Sequence, residues 1–211
     1  MKIITARVEP MHPIDGAVIL SRIEAAGRVC YKSEGKITDG SAAGFVRRII
    51  KSGHEAVLEH CNISLKFICD RGVSHEIVRH RLASYCQEST RYCNYSKGDF
   101  GGEITVIEPL YLTPGTEGYR IWKDTCEAAE RGYFSLLDFG CTPQEARAVL
   151  PNSLKTEVVM TTNLREWRHF FRLRCSPAAH PQMREVATQA LAMLHEAVPG
   201  VFDDIAAEVF K

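Results

Sequence analysis

Residues 79–92 hold the side chains with the clearest chemical potential in the chain. The segment contains three arginines, a histidine and several hydroxyl side chains. A guanidinium is a permanently charged planar group that can bind a phosphate through two parallel hydrogen bonds. Serine hydroxyls and the backbone amides of a turn add neutral donors to the same anion. The residue types and their spacing therefore predict an anion-binding site.

An exposed basic helix end is the ordinary alternative for such a segment. Glu76 precedes Arg79 by three residues, so one helical face can hold a carboxylate beside these cations. Several neighbours are apolar or aromatic, which favours partial burial: Leu82, Ala83, Tyr85 and Tyr92. A buried arginine requires an anionic partner, and the nearby chain offers only Glu76 and Glu88. An external anion is therefore favoured over a solvated helix end.

A second arginine cluster lies in residues 163–174, which have helical periodicity. One stripe of this helix is apolar and another is basic: Leu164, Trp167 and Phe171, then Arg165, Arg168 and Arg172. For Arg168 and Arg172 the pattern favours an ordinary amphipathic helix, and Asn163 is a candidate helix cap. Arg174 follows the helix and is better placed to reach into a cleft.

Apolar periodicity and turn residues predict the elements that must position these clusters. Helices are predicted at 16–31, 41–53, 73–82, 117–138, 142–151, 164–173, 180–196 and 200–210, and strands at 62–69, 104–107 and 154–162. Residues 84–95 are interpreted as a loop or strand and 98–102 as a turn, and Thr142 with Glu145 predicts a capping box. Because strands and helices do not alternate regularly, we predict an α+β fold in one domain over residues 1–211.

The composition disfavours several classes of protein. Twenty-six basic residues balance 26 acidic ones, so no overall field attracts nucleic acid or an anionic membrane. No apolar run approaches the roughly 18–20 residues that span a bilayer, and the N-terminus lacks the apolar stretch of a secretory signal. The eight cysteines are irregularly spaced, without a Cys-x-x-Cys pair. We therefore expect reduced thiols in a cytoplasmic protein without a membrane or nucleic-acid partner.

Familiar nucleotide and metal motifs are missing from the sequence. There is no Gly-x-Gly-x-x-Gly and no phosphate loop that ends in Gly-Lys-Ser/Thr. His75 and His80 are five residues apart, whereas the zinc-protease helix has its two histidines at i and i+4. Adjacent arginines would also repel a dication, so we expect no metal site.

Taken together, these segments resemble the flavin-dependent thymidylate synthases. That family has Arg-His-Arg followed after seven residues by Ser, and the chain has Arg79-His80-Arg81 with Ser89, continuing into Arg91-Tyr92. Segments 53–60, 146–151 and 163–174 also resemble elements of the family, so the resemblance covers roughly residues 50–190. The chain departs from residues common in the family at three positions: Ala56, Glu76 and Cys86.

The resemblance implies a role for individual residues. The residues implied to bind the nucleotide are Glu76, Arg79, Gln87, Glu88, Ser89, Thr90, Arg91 and Arg147, with the phosphate held by Ser89, Arg91 and Arg147. The residues implied to bind the flavin are His54, Ala56, Arg79, His80, Arg81, Gln87, Asn163, Arg165 and His169, with His54 also near the folate. Arg174 would contact the uracil ring as a substrate-binding and catalytic residue that favours its ionised form.

The resemblance also implies the reaction and the assembly. The enzyme would methylate dUMP to dTMP, with 5,10-methylenetetrahydrofolate as carbon donor and NADPH-reduced FAD as hydride donor. The family is homotetrameric, with an antiparallel sheet flanked by helices and with sites formed at subunit interfaces.

Other functions stay open on the sequence. A close relative would hydroxymethylate the same nucleotide or modify another pyrimidine. A covalent role for Ser89 is disfavoured because no base is evident beside it. An RNA-binding module is disfavoured by the zero net charge, and a scaffold would leave the arginines without an anion.

Overall fold

The helices begin where side chains can cap their free backbone amides. In the computed structural model, which describes residues 1–98 and 101–211, Asp15 accepts from the Val18 amide and Asn163 accepts from the Glu166 amide, at 3.0 and 2.9 Å. The predicted capping box of Thr142 is confirmed. Each cap satisfies a backbone donor that has no partner inside the helix.

The elements follow in this order along the chain. The helices are α1 (Gly16–Cys30), α2 (Ser41–Lys51), α3 (Arg71–Ile77), α4 (Glu117–Asp138), α5 (Pro143–Ala146), α6 (Leu164–Arg174), α7 (Pro181–Ala197) and α8 (Asp203–Val209). The strands are β1 (Lys2–Ile4), β2 (Arg7–Pro10), β3 (Asn62–Asp70), β4 (Ala83–Gln87), β5 (Thr105–Ile107) and β6 (Lys155–Asn163). Short 3-10 turns occupy residues 34–36, 55–60 and 147–149. This content confirms the α+β prediction.

Several predicted boundaries were wrong. The helix predicted at 73–82 ends at Ile77, because the following residues turn towards β4 and the His80 side chain is buried. The helix predicted at 142–151 is the single turn α5 and a 3-10 turn that closes before Pro151. The predicted turn at 98–102 includes residues 99 and 100, which lie outside the described residues.

The strands form two sheets. β1 pairs with β5 in parallel, with Lys2 opposite Thr105 and Ile4 opposite Ile107. The other sheet has the order β2-β3-β6-β4. The expected antiparallel sheet is therefore wrong for the β1–β5 pair, since a parallel pair needs a long crossover and the hundred residues between these strands supply one.

The described chain divides into two compact units. Unit 1 comprises residues 1–7, 67–79 and 86–158, and unit 2 comprises residues 8–66, 80–85 and 159–211. The core of unit 1 includes Cys126 and Tyr133 of α4. The core of unit 2 contains the apolar stripe predicted on α6: Leu164, Trp167 and Phe171. That residues 1–211 form one domain stays a prediction.

Within residues 1–98 and 101–211, no helix has the length and apolar character needed to cross a membrane. The longest helix, α4, spans 22 residues and buries Cys126 and Tyr133, so its apolar side chains form a stripe and not a continuous surface.

Helix α6 is held in unit 2 by a buried cation. Arg168 is 1% exposed, and its Nη2 lies 2.7 Å from a carboxylate oxygen of Asp204 on α8 and 3.0 Å from one of Glu55. Nη1 also donates to the carbonyl of Val201. Arg172 lies one turn further along and contacts the same two carboxylates, but its side chain is 46% exposed. The sequence favours an ordinary amphipathic helix with a basic stripe; the structure leaves Arg172 half-exposed on that stripe but buries Arg168.

Replacing Arg168 with methionine is expected to lower the free energy of unfolding by about 3 kcal/mol, because Glu55 and Asp204 lose a buried counter-charge. Arg172→Met is the matched control on the same helix, and exposure limits its expected effect to less than about 1 kcal/mol. Urea denaturation followed by tryptophan fluorescence measures both, and equal losses would contradict the distinction between them.

Candidate active site

The residues predicted to bind a phosphate converge in unit 1. β4 ends at Gln87, and the loop that follows carries Ser89, Thr90 and Arg91. Ser89 Oγ accepts from the backbone amide of Arg91 at 3.3 Å, which closes a tight turn. Arg147, on the 3-10 turn after α5, donates from Nη1 to Thr90 Oγ1 at 3.2 Å. The structure thus brings together predicted residues that lie more than fifty positions apart.

The arginines of this loop contact neutral acceptors. Arg91 donates from Nε to Gln144 Oε1 at 3.4 Å, and its guanidinium carbon lies 5.6 Å from the centre of the Tyr92 ring. Arg91 and Arg147 are both exposed. In the part of the chain that the structure describes, neither forms an ion pair with a carboxylate. Two positive charges thus lie beside hydroxyl groups without a protein counter-charge, as an anion site requires.

Gln87 is fixed from two sides. Its Nε2 donates to Ser74 Oγ on α3 at 2.9 Å and to Thr156 Oγ1 on β6 at 3.3 Å. Both hydroxyl residues are fully buried. Because both amide hydrogens are used in this way, Oε1 is the atom of Gln87 that is oriented as an acceptor for a ligand. Glu76 on α3 is half-buried and Arg79, just beyond the helix, is exposed.

The Glu88 carboxylate is bound by side chains of unit 1. Its carboxylate accepts from Lys155 Nζ at 2.9 Å and from the Tyr95 hydroxyl at 3.2 Å, and its side chain is 13% exposed. The Glu88 amide donates to the carbonyl of Glu157 at 2.9 Å. These contacts anchor the start of the loop to β6, and a nucleotide contact by Glu88 stays a prediction.

Most residues predicted to bind the flavin lie in unit 2, and several of them lie around the first turns of α6. Thr162 Oγ1 donates to the carbonyl of Leu82 at 2.6 Å, which holds the chain around Arg81 beside the end of β6. Asn163 caps the helix, and Arg165 pairs with Glu59 at 2.5 Å. Arg81, Arg165 and His169 are exposed.

His80 forms the centre of this region. It is 5% exposed, and its Nδ1 lies 3.1 Å from Glu166 Oε1 while its Nε2 accepts from Arg174 Nε at 3.1 Å. Its ring packs against the edge of Phe170, with ring centres 4.9 Å apart, and lies 5.8 Å from the ring of His169. His80 therefore uses both ring nitrogens inside the protein, so a flavin contact through either nitrogen is disfavoured.

The geometry fixes the protonation state of His80. Arginine Nε can only donate, so Nε2 must be the unprotonated nitrogen and the ring hydrogen must lie on Nδ1. Burial lowers the pKa of His80, and the positive charge of Arg174 lowers it further, although Glu166 acts in the opposite direction. Burial also raises the pKa of Tyr85 to about 12, so its phenol keeps the hydrogen that it donates to the His80 carbonyl at 2.6 Å.

His54 and Ala56 lie at the 3-10 turn that packs against α6. His54 is exposed, and its Nδ1 lies 3.0 Å from the hydroxyl of Tyr31. Ala56 is exposed one residue after Glu55, which contacts Arg168. The ionic anchor of α6 therefore also positions this predicted part of the flavin site.

Most residues of the two predicted sets belong to different units. The residues predicted for the nucleotide belong to unit 1: Glu76, Arg79, Gln87, Glu88, Ser89, Thr90, Arg91 and Arg147. Arg174 and most residues predicted for the flavin belong to unit 2: His54, Ala56, His80, Arg81, Asn163, Arg165 and His169. Arg79 and Gln87, which were predicted to bind both ligands, belong to unit 1.

One group of side chains in unit 2 has the composition of a metal site. Ligand atoms of His80, Glu166 and His169 lie within 4.8 Å of one another. The Arg174 guanidinium, however, donates to Nε2 of the same His80 ring, and its charge would repel a cation. The charge of Arg174 therefore disfavours a metal at this group of side chains.

Sequence reasoning missed the residues that orient the predicted ones. Glu166 was not identified as a site residue, but its carboxylate contacts His80. Ser74 and Thr156 were not identified, although their burial beside Gln87 gives them a defined role. Thr156 shares a face of β6 with the apolar side chains of Val158 and Met160, and this period of two could have indicated that it points inwards. No local signal indicated the partner of Glu166.

Comparisons with known proteins identify the family of the chain. The family model "Thymidylate synthase complementing protein" matches residues 19–200. A flavin-dependent thymidylate synthase of Geobacter sulfurreducens is 32% identical over 189 residues, which cover 86% of this chain and 80% of the relative. One of Mycolicibacterium vanbaalenii is 36% identical over 208 residues, which cover 90% of this chain and 80% of the relative.

A solved structure shares the fold. The UMP/dUMP methylase PolB from Streptomyces cacaoi, crystallised with 5-Br dUMP, superimposes with a TM-score of 0.76 at 23% identity, over 99% of this chain and 97% of that chain. Since the family model and the relatives match most of the sequence, the chain belongs to the flavin-dependent thymidylate synthase family.

Proposed function

We propose that this enzyme methylates dUMP to dTMP, taking the carbon from 5,10-methylenetetrahydrofolate and the hydride from FAD that NADPH has reduced. One observation carries the proposal: Arg91 and Arg147 lie beside Ser89 and Thr90, and neither guanidinium has a carboxylate partner among the described residues. The names of the relatives and the ligand of the solved neighbour support the same substrate and cofactor.

In this proposal, unit 1 binds the nucleotide. Arg91 and Arg147 would hold the phosphate through charge-assisted hydrogen bonds, and the hydroxyl of Ser89 would add a neutral donor. Gln87 would present Oε1 to the N–H of the pyrimidine, because its amide hydrogens are used by Ser74 and Thr156. These contacts orient the substrate before the reaction and supply no redox chemistry.

The side chains around α6 fit a flavin dinucleotide. Arg81 and Arg165 are exposed guanidinium groups whose planar donors match the two phosphates of the cofactor. The exposed imidazoles of His54 and His169 add polar groups on the same part of unit 2. When bound, the flavin would supply the reducing equivalents, and the protein would supply its orientation.

Arg174 would be the catalytic residue of the chain. Carbon 5 of uracil becomes a nucleophile as negative charge develops on the ring oxygens, and a fixed cation near those oxygens stabilises that charge. Arg174 ends α6 and is half-buried, so its position is better defined than that of an exposed arginine.

We also propose that the enzyme has the assembly of the family, a homotetramer with active sites shared between subunits.

The visible spectrum of the purified protein tests the proposal. We expect flavin absorption bands that are bleached faster by NADPH under anaerobic conditions when dUMP is present. Adding methylenetetrahydrofolate should then release dTMP, which chromatography separates from the hydroxymethylated nucleotide. A protein that takes up no flavin, or that binds RNA in place of the nucleotide, would overturn the proposal.

Arg174→Ala is expected to lower the rate of dTMP formation by at least about 10²-fold, because a donor to the developing charge is lost. The flavin content of the variant should equal that of the wild type, since the proposal places Arg174 on the uracil. Arg172→Ala is the matched control from the same helix and should retain the rate. Loss of flavin from Arg174→Ala would contradict the assigned role.

Ser89→Ala is expected to retain measurable turnover, with a higher KM for dUMP, because the hydroxyl positions the phosphate and is not a nucleophile. Steady-state kinetics with mass spectrometry of the intact protein checks this. A complete loss of turnover, together with a wild-type mass shift from a nucleotide adduct, would show that Ser89 reacts covalently.

A further inference from the structure

Glu166 is a buried carboxylate that the family resemblance leaves without a role. It lies in the first turn of α6 and is 8% exposed. A glutamate at this position commonly returns to the backbone at the start of its helix, but Glu166 directs Oε1 to His80 Nδ1 at 3.1 Å. The helix start is instead capped by Asn163, whose side chain accepts from the Glu166 amide. Helix capping therefore does not account for the buried carboxylate.

His80 links Arg174 to Glu166 through two hydrogen bonds. Arg174 Nε donates to His80 Nε2, and His80 Nδ1–H donates to Glu166. The ring packs at a steep angle against the rings of Phe170 and His169, and the Tyr85 hydroxyl donates to the His80 carbonyl. A rigid ring with both nitrogens bonded is a suitable support for orienting a guanidinium.

We propose that Glu166 is a positioning residue for the reaction, acting through the neutral ring of His80 to orient the guanidinium of Arg174. The inference rests on the proposed function, in which Arg174 acts on the uracil. Glu166 fixes the tautomer that carries hydrogen on Nδ1, which is the tautomer that can accept from Arg174. In the other neutral tautomer, an N–H of His80 would face an N–H of Arg174, and the guanidinium would have to turn away.

The charges around the ring agree with this role. The groups that face His80 are Glu166, His169 and Arg174 from α6 and Tyr85 from β4. A doubly protonated ring would place a second cation in contact with Arg174 in a buried position. It would also lose the acceptor at Nε2 that the Arg174 hydrogen bond requires. Glu166 therefore stabilises the hydrogen on Nδ1 without requiring a charged imidazole.

Glu166→Gln tests the kinetic consequence. The amide keeps the size of the side chain but can also present its NH₂ group to Nδ1, so the tautomer is no longer fixed. We expect kcat to fall about tenfold or more, because small displacements of a catalytic group are costly. Flavin content and the midpoint of unfolding should stay close to those of the control Glu196→Gln, which makes the same change at an exposed position of α7. Turnover equal to that of the control would overturn the proposal.

A double-variant cycle separates this role from a general structural one. Release of tritium from carbon 5 of labelled dUMP measures the low residual rate of Arg174→Ala. If Glu166 acts through Arg174, adding Glu166→Gln to Arg174→Ala should change that residual rate by less than about twofold. The same fold loss in both backgrounds would show that Glu166 acts by another route.

The tautomer is measurable in the unaltered enzyme. Nitrogen-15 NMR of histidine-labelled, flavin-loaded protein distinguishes hydrogen on Nδ1 from hydrogen on Nε2, and the spectrum of His80→Phe assigns the resonance. We expect a neutral ring with hydrogen on Nδ1, whereas hydrogen on Nε2 or a charged ring would overturn the proposal even if Glu166→Gln fails to fold. The wild-type assay for dTMP is independent of this result, so failure of the positioning role and failure of the proposed function are distinguishable.

Discussion

A guanidinium that leaves water must meet a carboxylate or another strong acceptor, and this constraint determines how helix α6 is held. Arg168 is almost fully buried, and it joins α6 to Asp204 on α8 and to Glu55. The turn that carries Glu55 also carries His54 and Ala56. A single buried ionic cluster therefore fixes the elements that bear many of the residues predicted to bind the flavin.

At the end of α6, a guanidinium is linked to a buried carboxylate through a histidine ring. Arg174 is linked to Glu166 through the neutral ring of His80, whereas Arg168 contacts its carboxylates directly. Because the interaction between charges weakens with distance, Glu166 acts on Arg174 mainly through the hydrogen bonds of the His80 ring and less through its charge. The indirect link therefore orients Arg174 through the geometry of the ring.

Local sequence patterns predicted the features that local physics determines. The cap at Asn163, the capping box at Thr142 and the extent of α4 are confirmed because each depends on neighbours in the chain. The three-residue strand β1 was not predicted, since its stability comes from pairing with β5, a hundred residues away. The contact of Glu166 with His80 joins residues 86 positions apart, so periodicity and capping rules carried no information about it.

The arginines of the chain look alike in sequence, but the structure separates them by their partners. Arg168 and Arg172 contact carboxylates, whereas Arg91 and Arg147 contact the neutral oxygens of Gln144 and Thr90. A carboxylate partner neutralises a guanidinium and leaves it a structural role; a neutral partner orients it and leaves its charge for an anion. Arg165, which pairs with Glu59 at an exposed position, lies between these cases, because a surface pair in water is weak enough for a dinucleotide phosphate to compete with it. The identity of the partner, and not the arginine itself, is thus the evidence that distinguishes a ligand-binding residue from a structural one.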